Sequence, residues 1–237
     1  MRTLLLTFSV CLLLTACVFS PVKKPEPAPQ APPAASDTAQ RQSHDDVARQ
    51  IAGFKGKAGV YAKNLKTAQE FRHNADEIFA TASTHKLVVA LAVYKYLYAE
   101  APAPQKQRYD RLIMKMMEVS DNPAFYALLD DIERQKPAVL TQVLADLNLK
   151  QTRIHSGEAF LRHRYHSVTT PREMAVVFET IYNSRYLPES ASAILKEDLA
   201  RTIFREEIPR YMKGGKVMHK MGQLPDGTLN DVGIVDD

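Results

Sequence analysis

Seven apolar residues in a row, Leu87-Val-Val-Ala-Leu-Ala-Val93, follow Lys86 in the stretch that begins Phe79-Ala-Thr-Ala-Ser83-Thr-His-Lys86. A segment that is apolar on every side has no face to give to water. As a helix it must run through the middle of a domain, with other elements wrapped around it. Lys86 then opens a buried helix, where its amine is dry and close to the positive end of the helix dipole. Both conditions favour the uncharged form. Ser83 lies three residues earlier and shares a helical face with Lys86. An uncharged amine beside a hydroxyl can take its proton, which makes Ser83 a candidate nucleophile and Lys86 its base. A plainer reading stands beside this one, with Ser83 or Thr84 as an N-cap and Lys86 snorkelling out along a neighbour.

Two more motifs follow in order. Ser120-Asp121-Asn122 ends the helical run Tyr109-Asp-Arg-Leu-Ile-Met-Lys-Met-Met-Glu-Val119, and Lys220-Met221-Gly222 lies in a strand-like stretch after Gly214-Gly215. Ser120 offers a hydroxyl that can pass a proton on, and Asn122 an amide that both accepts and donates; Asp121 holds the turn. Asn122 followed by Pro123 is also an ordinary helix start, with Asn122 as N-cap. Strand alternation sets Met218, Lys220 and Gly222 on one face and Val217, His219 and Met221 on the other. Lys220 then faces the cavity or, in the plainer reading, is an exposed edge-strand lysine, and Gly222 lets a substrate come close to the backbone.

The ordered set S-x-x-K, S-D-N and K-x-G resembles the active-site signature of class A β-lactamases and penicillin-binding serine hydrolases. Gly59-Val-Tyr-Ala, Thr169-Thr-Pro-Arg-Glu-Met-Ala175 and Asn230-Asp-Val-Gly-Ile-Val235 resemble that family too, so the likeness runs from about Ile51 to the last residue. The resemblance implies catalytic roles for Ser83, Lys86, Ser120 and Lys220. Asn122 and Gly222 would contact substrate, and the backbone N–H groups of Ser83 and Gln223 would form the oxyanion hole. It implies a β-lactam opened through an acyl-enzyme at Ser83, with no cofactor. One alternative is a slow-turnover penicillin-binding peptidase acting on peptidoglycan stem peptides; another is a silent lipoprotein that keeps the fold.

Four departures from the family pattern bear on activity. Met221 stands where a threonine or serine hydroxyl is expected to bond a substrate carboxylate, a bond worth about 1.5 to 3 kcal/mol. Glu158-Ala-Phe-Leu-Arg162 matches only part of the deacylating E-x-x-L-N loop, and Glu158 also reads as a surface acid. The stretch between Lys86 and Ser120 is short for the family. The sequence stops at Asp237, ahead of a further strand and final helix, which suggests a truncated product or a fragment with two open sheet edges.

Residues 1–17 read as a secretory leader, with Arg2, an apolar stretch and then Leu14-Thr-Ala-Cys17, which resembles a bacterial lipobox. That implies lipidation of Cys17 and a membrane-anchored exported protein, on the periplasmic face of the outer membrane in a Gram-negative cell; an ordinary signal peptide cut nearby is the other possibility. Of the two cysteines, Cys11 would leave with the leader, so no internal disulfide forms. Residues 18–43 are rich in proline and alanine and read as a disordered tether reaching up to roughly 80 Å when extended. The net charge of +4, with acids and bases interspersed, argues against nucleic-acid binding. Lys213, Lys216, His219 and Lys220 are close in sequence and would suit a carboxylate-bearing substrate. His155, His163 and His166 lack a second ligand cluster, which argues against a metal.

The coarse order of elements gives the fold class. Strands are expected over 59–65 and 69–73. Helices are expected over 83–98, 109–119, 123–134, 137–147, 171–182 and 190–204, followed by a strand hairpin over 216–222 and 229–235. This is an α+β fold of the β-lactamase/transpeptidase type. One domain over 44–237 would hold a sheet lobe from 51–80 and 205–237 and an all-helical lobe over 81–204. The antiparallel sheet would be flanked by helices and lack its last strand and C-terminal helix, and the site would lie in the crevice between the lobes.

Overall fold

In the computed structural model, which describes residues 35–236, the apolar run lies where its composition requires. All seven residues of helix α2, Lys86–Ala92, are buried, and a π turn over Val93–Leu97 extends it with Val93, Tyr94 and Leu97 buried as well. Helices α3 (Ala103–Glu118), α4 (Asn122–Gln135) and α5 (Val139–Asp146) pack around it. Each turns one stripe inward at helical spacing: Tyr109, Ile113, Met116 and Met117 from α3, and Phe125, Leu128, Leu129 and Ile132 from α4. Burial of each such side chain contributes about 1.5 to 3 kcal/mol. The stripes therefore decide which face of each helix meets α2.

The remaining elements are α1 (Ala35–Ala52), β1 (Val60–Lys63), β2 (Glu70–His73), β3 (Phe79–Ala80), α6 (Gly157–His163), β4 (Val168–Thr169), α7 (Pro171–Tyr182), α8 (Glu189–Ala200), α9 (Ile208–Tyr211), β5 (Lys216–Gln223) and β6 (Leu229–Asp236). Helix α7 covers the span expected for it. Thr170 caps it, accepting from the Glu173 amide at 3.1 Å, and Pro171 sits in the first turn, where a missing N–H costs nothing. Helix α3 begins six residues before its expected start, because Pro104 falls in its first turn and opens the helix instead of breaking it. Helix α8 stops at Ala200, four residues short of the expected end, and residues 201–207 run on as irregular chain. The short elements α6, α9, β3 and β4 carry too little periodicity to be read in advance.

The strands pair as three antiparallel two-stranded ladders, β1–β2, β3–β4 and β5–β6, where the sequence suggested a single sheet. Among the described residues, no hydrogen bond joins the β1–β2 hairpin to the β5–β6 hairpin. Helix α7 packs on both β1 and β6 and ties the two hairpins together, while α8 lies against β5. In the long ladder Lys216 pairs with Asp236 and Gln223 with Leu229. The result is helix-rich with small antiparallel sheets, an α+β fold.

The leader over 1–17, Cys17 and the tether as far as residue 34 lie outside the described residues. The last part of the expected tether, from Ala35, is instead the start of α1. The proline run ends at Pro33, and nothing after it forbids a helix. No described helix is long and apolar enough to cross a membrane.

Candidate active site

Ser83 lies in a 3-10 turn, Ala82–His85, that runs directly into α2. With three residues per turn, positions i and i+3 eclipse, so Ser83 and Lys86 stack on one side of the chain. Neither Ser83 nor Thr84 caps the helix: no side-chain cap bond is made there, and the Thr84 hydroxyl donates to the Thr81 carbonyl at 2.7 Å. Ala82, just before the nucleophile, has φ of 45°. Left-handed backbone at a buried alanine costs of order 1 to 3 kcal/mol and persists only where the surroundings impose it. Here the His85 ring donates from Nδ1 to the Ala82 carbonyl, and the Thr81 amide donates to the Ser167 carbonyl at 3.1 Å. That pinned ring is part of the site's scaffold, and neither motif nor composition pointed to it.

Lys86 does not snorkel. It is 1% exposed. Its Nζ donates to the Ser120 carbonyl at 2.5 Å and to Asn122 Oδ1 at 2.7 Å, with Ser120 Oγ at 3.2 Å. Ser120 is itself left-handed, with φ of 57°, which turns its carbonyl and its hydroxyl toward the same amine. The cap of α4 is Asp121, whose carboxylate accepts from the Ala124 amide at 2.6 Å. This corrects the reading of Asn122 as N-cap: Asn122 is the first helical residue, and its amide is free to hold Lys86.

Lys220 arrives from β5, fully buried rather than at an exposed edge. Its Nζ lies 2.9 Å from Ser120 Oγ and 2.8 Å from the Met221 carbonyl, with the Phe204 ring 5.8 Å away. One hydroxyl thus bridges two buried amines. Burial pushes the Lys86 amine down to about 8, opposed by Asp121. Burial and then the charge of Lys86 push Lys220 down to about 7, opposed by Asp231. Two such amines share protons as a unit. Near neutrality the pair carries one charge more comfortably than two, which leaves a lone pair next to a hydroxyl.

Gly222 fits the crevice closely. A Cβ there would lie 2.4 Å from the Ser83 amide nitrogen and 2.9 Å from Ala82 Cβ, so only glycine lets β5 lie against the nucleophile's backbone. Gln223, next along β5, is exposed and pairs with Leu229. Ser83, Lys86, Ser120, Asn122, Lys220 and Gly222 therefore converge. Among the described residues no hydrogen bond joins Ser83 Oγ to Lys86 Nζ; the amine is occupied by Ser120 and Asn122.

Other expected residues lie elsewhere. Glu158 sits on α6 with its side chain 55% exposed, 3.3 Å from Arg162 and 3.9 Å from Arg153. Of the four basic residues thought to gather at the pocket, only Lys220 does so. Lys213 is exposed, Lys216 pairs with Glu197 at 2.7 Å, and His219 is buried on the opposite face of β5. His166 stacks on Phe160 at 4.5 Å, and its ring centre is 6.2 Å from that of His155. Among the described residues no group of three His, Cys, Asp or Glu side chains could hold a metal.

Known proteins resemble this chain in sequence and in fold. The family described as the beta-lactamase enzyme family matches residues 42–109 and 100–237. Beta-lactamase ROB-1 of Haemophilus influenzae is 26% identical over 255 aligned positions, covering 94% of this chain and 82% of that protein. Beta-lactamase 3 of Bacillus cereus is 23% identical over 209 positions, covering 77% and 66%. A class A beta-lactamase from Mycobacterium abscessus superposes with a TM-score of 0.71 at 21% identity, covering 82% of this chain and 85% of that one. A PBP-A variant solved as an acyl-enzyme complex with penicillin G gives 0.69 at 21% identity, covering 83% of each. The matched segments together contain the serine turn, the Ser120 loop and the Lys220 strand, and on that match the chain belongs to the beta-lactamase enzyme family.

Proposed function

We propose that this protein is a serine hydrolase that opens β-lactam amides through an acyl-enzyme at Ser83. The observation that carries the reading is the pair of buried amines on Ser120 Oγ, 3.2 Å from Lys86 and 2.9 Å from Lys220. In acylation the Ser83 oxygen attacks the lactam carbonyl while its proton passes to Lys86 in the state of the coupled pair in which the remaining charge sits on Lys220. Ser120 delivers a proton to the leaving ring nitrogen, so the C–N bond breaks and the pair recovers its charge state. The Ser83 and Gln223 amides hold the oxyanion, each such donor contributing about 3 to 4 kcal/mol to the transition state. Asn122 donates to the substrate from the amide group that does not face Lys86. Lys220 supplies positive potential.

The second reading, a penicillin-binding peptidase with a long-lived acyl-enzyme acting on peptidoglycan stem peptides, draws support from Glu158. A carboxylate turned to solvent and paired with two arginines is poorly placed to activate a water at Ser83. Export and anchoring through Cys17 belong to the same proposal and rest on the leader sequence. Purified protein is incubated with a chromogenic cephalosporin and, in parallel, a fluorescent penicillin, with Ser83→Ala as control. Ser83-dependent colour supports the lactamase. A stable fluorescent adduct on Ser83 without colour supports the second reading. Neither colour nor adduct overturns both and leaves a silent member of the family.

A further inference from the structure

His219 is fully buried, yet both of its ring nitrogens are engaged. Nδ1 lies 2.8 and 3.0 Å from the two oxygens of Asp231, and Nε2 lies 3.0 Å from the Phe204 carbonyl. A carbonyl only accepts, and so does a carboxylate. Both nitrogens must therefore carry hydrogen, which makes His219 an imidazolium. Asp231 also accepts from the Ile208 amide at 2.9 Å through Oδ2, as an ionised carboxylate would. The hairpin register explains the meeting: Asp231 stands opposite Met221, diagonal to His219 on the same face of the ladder. Gly233 stands opposite His219 and leaves it room, since a Cβ there would come within 2.6 Å of His219 Cβ.

We propose that the His219–Asp231 ion pair is a positioning device for Lys220: it clamps β5 to the 204–208 segment and, by neutralising Asp231, keeps that carboxylate from holding a second proton on the Lys86–Lys220 pair. The proposal deepens the acyl-enzyme reading and rests on it for its consequence in catalysis. Lys220 is next to His219 on the same strand and feels the charge of Asp231. The carbonyl that His219 binds belongs to Phe204, whose ring faces Lys220. The other titratable groups on or beside elements packed against β5 are His85 and Lys86 at the serine turn, Glu189, Lys196, Glu197 and Asp198 on α8, of which Glu197 pairs with Lys216 and Asp198 with Arg201, Glu207 and Arg210 at α9, and Asp236 on β6. Of the charged groups, among the described residues, only Asp231 bonds the imidazole.

The test uses full-length protein labelled with 15N-histidine and 13C-lysine, followed by NMR through a pH titration. Both ring nitrogens of His219 should carry hydrogen in the folded protein at neutral pH, seen as two N–H signals. His219→Gln leaves Asp231 uncompensated and should move the titration of the two buried lysines up by about one pH unit. The double variant His219→Gln/Asp231→Asn should bring it back. Acylation rate against pH should shift in the same sense and by the same amount. A His219 with a single N–H at neutral pH, or buried lysines that ignore His219→Gln in a folded protein, would overturn the proposal. Lysines that shift as expected in a protein that never acylates would sink the acyl-enzyme reading alone and leave the pair's electrostatic role standing.

Discussion

Lys86 and Asp131 are buried almost equally, at 1% and 3% exposed, but they keep different company. Asp131 on α4 is gripped by Arg108 from α3 and by Arg134 one turn along its own helix, so its charge is matched inside the helical lobe. Lys86 has only neutral oxygens as direct partners; the Asp121 carboxylate acts on it without bonding it, and a second buried lysine lies across Ser120. A matched buried charge holds structure together; an unmatched one gives up its proton. The contrast separates a staple from a group whose charge is easily given up, although either residue taken alone is simply a buried ion.

The sharpest way to break this contrast is Lys86→Met. Removing the base should lower acylation about 10³-fold, while thermal stability stays level or rises, since an apolar chain of similar length replaces a desolvated amine. Stopped-flow acylation and a melting curve on the same sample check both halves. The complementary change, Arg108→Ala with Arg134→Ala, strands the Asp131 carboxylate without a counterion. It should cost about 3 kcal/mol, a fall in Tm of roughly 8 °C, with Ser83 labelling intact in whatever stays folded.

A smaller effect sharpens the comparison from the other side. If one free and one charged amine are both needed, acylation plotted against pH is a bell. It rises through about 7 as the first proton leaves the lysine pair and falls through about 8 as the second goes, losing about tenfold per pH unit beyond either limb. A rate that is flat from pH 6 to pH 9 would refute the shared proton.

The smallest effect concerns Asp198 on α8, which lies between the two extremes. It has one oxygen on Arg201 at 2.6 Å and the other buried without a partner. Burial, with Glu118 and Asp110 nearby, pushes its carboxyl up to about 7 despite the arginine. A folded value above the unfolded one means that this group's stabilising contribution is complete below about 4 and is lost as pH rises through about 7. Asp198→Asn should therefore stabilise the protein by about 1 kcal/mol above that range, and the gain should vanish toward pH 4. Chemical denaturation at three pH values reads it directly.

Much of the site was legible because its pieces are short. The apolar run placed α2 at the centre, and three-residue spacing put Ser83 and Lys86 on one face. Alternation in β5 sent Lys220 to one face and His219 to the other, both buried. The misses share a cause. Asn122 and Asp121 are both good caps, and only the backbone turn at Ser120 selects Asp121 and frees Asn122. The basic cluster near residue 216 scattered because His219 alternates to the face opposite Lys220, Lys216 pairs with Glu197 at the exposed start of β5, and Lys213 precedes the strand. Glu158 fell on a short helix whose own arginines claimed it.

Composition and periodicity by themselves determined the buried rod, most of its flanking helices and the shared face of Ser83 and Lys86, because burial and helical phase act over a few residues. Tertiary structure alone decided that Ser120 and Lys220, a hundred positions apart, meet at 2.9 Å, that left-handed turns at Ala82 and Ser120 aim the site, and that His219 finds Asp231. Those outcomes depend on strand register and on the fit of whole elements against one another, which no local pattern of residues encodes.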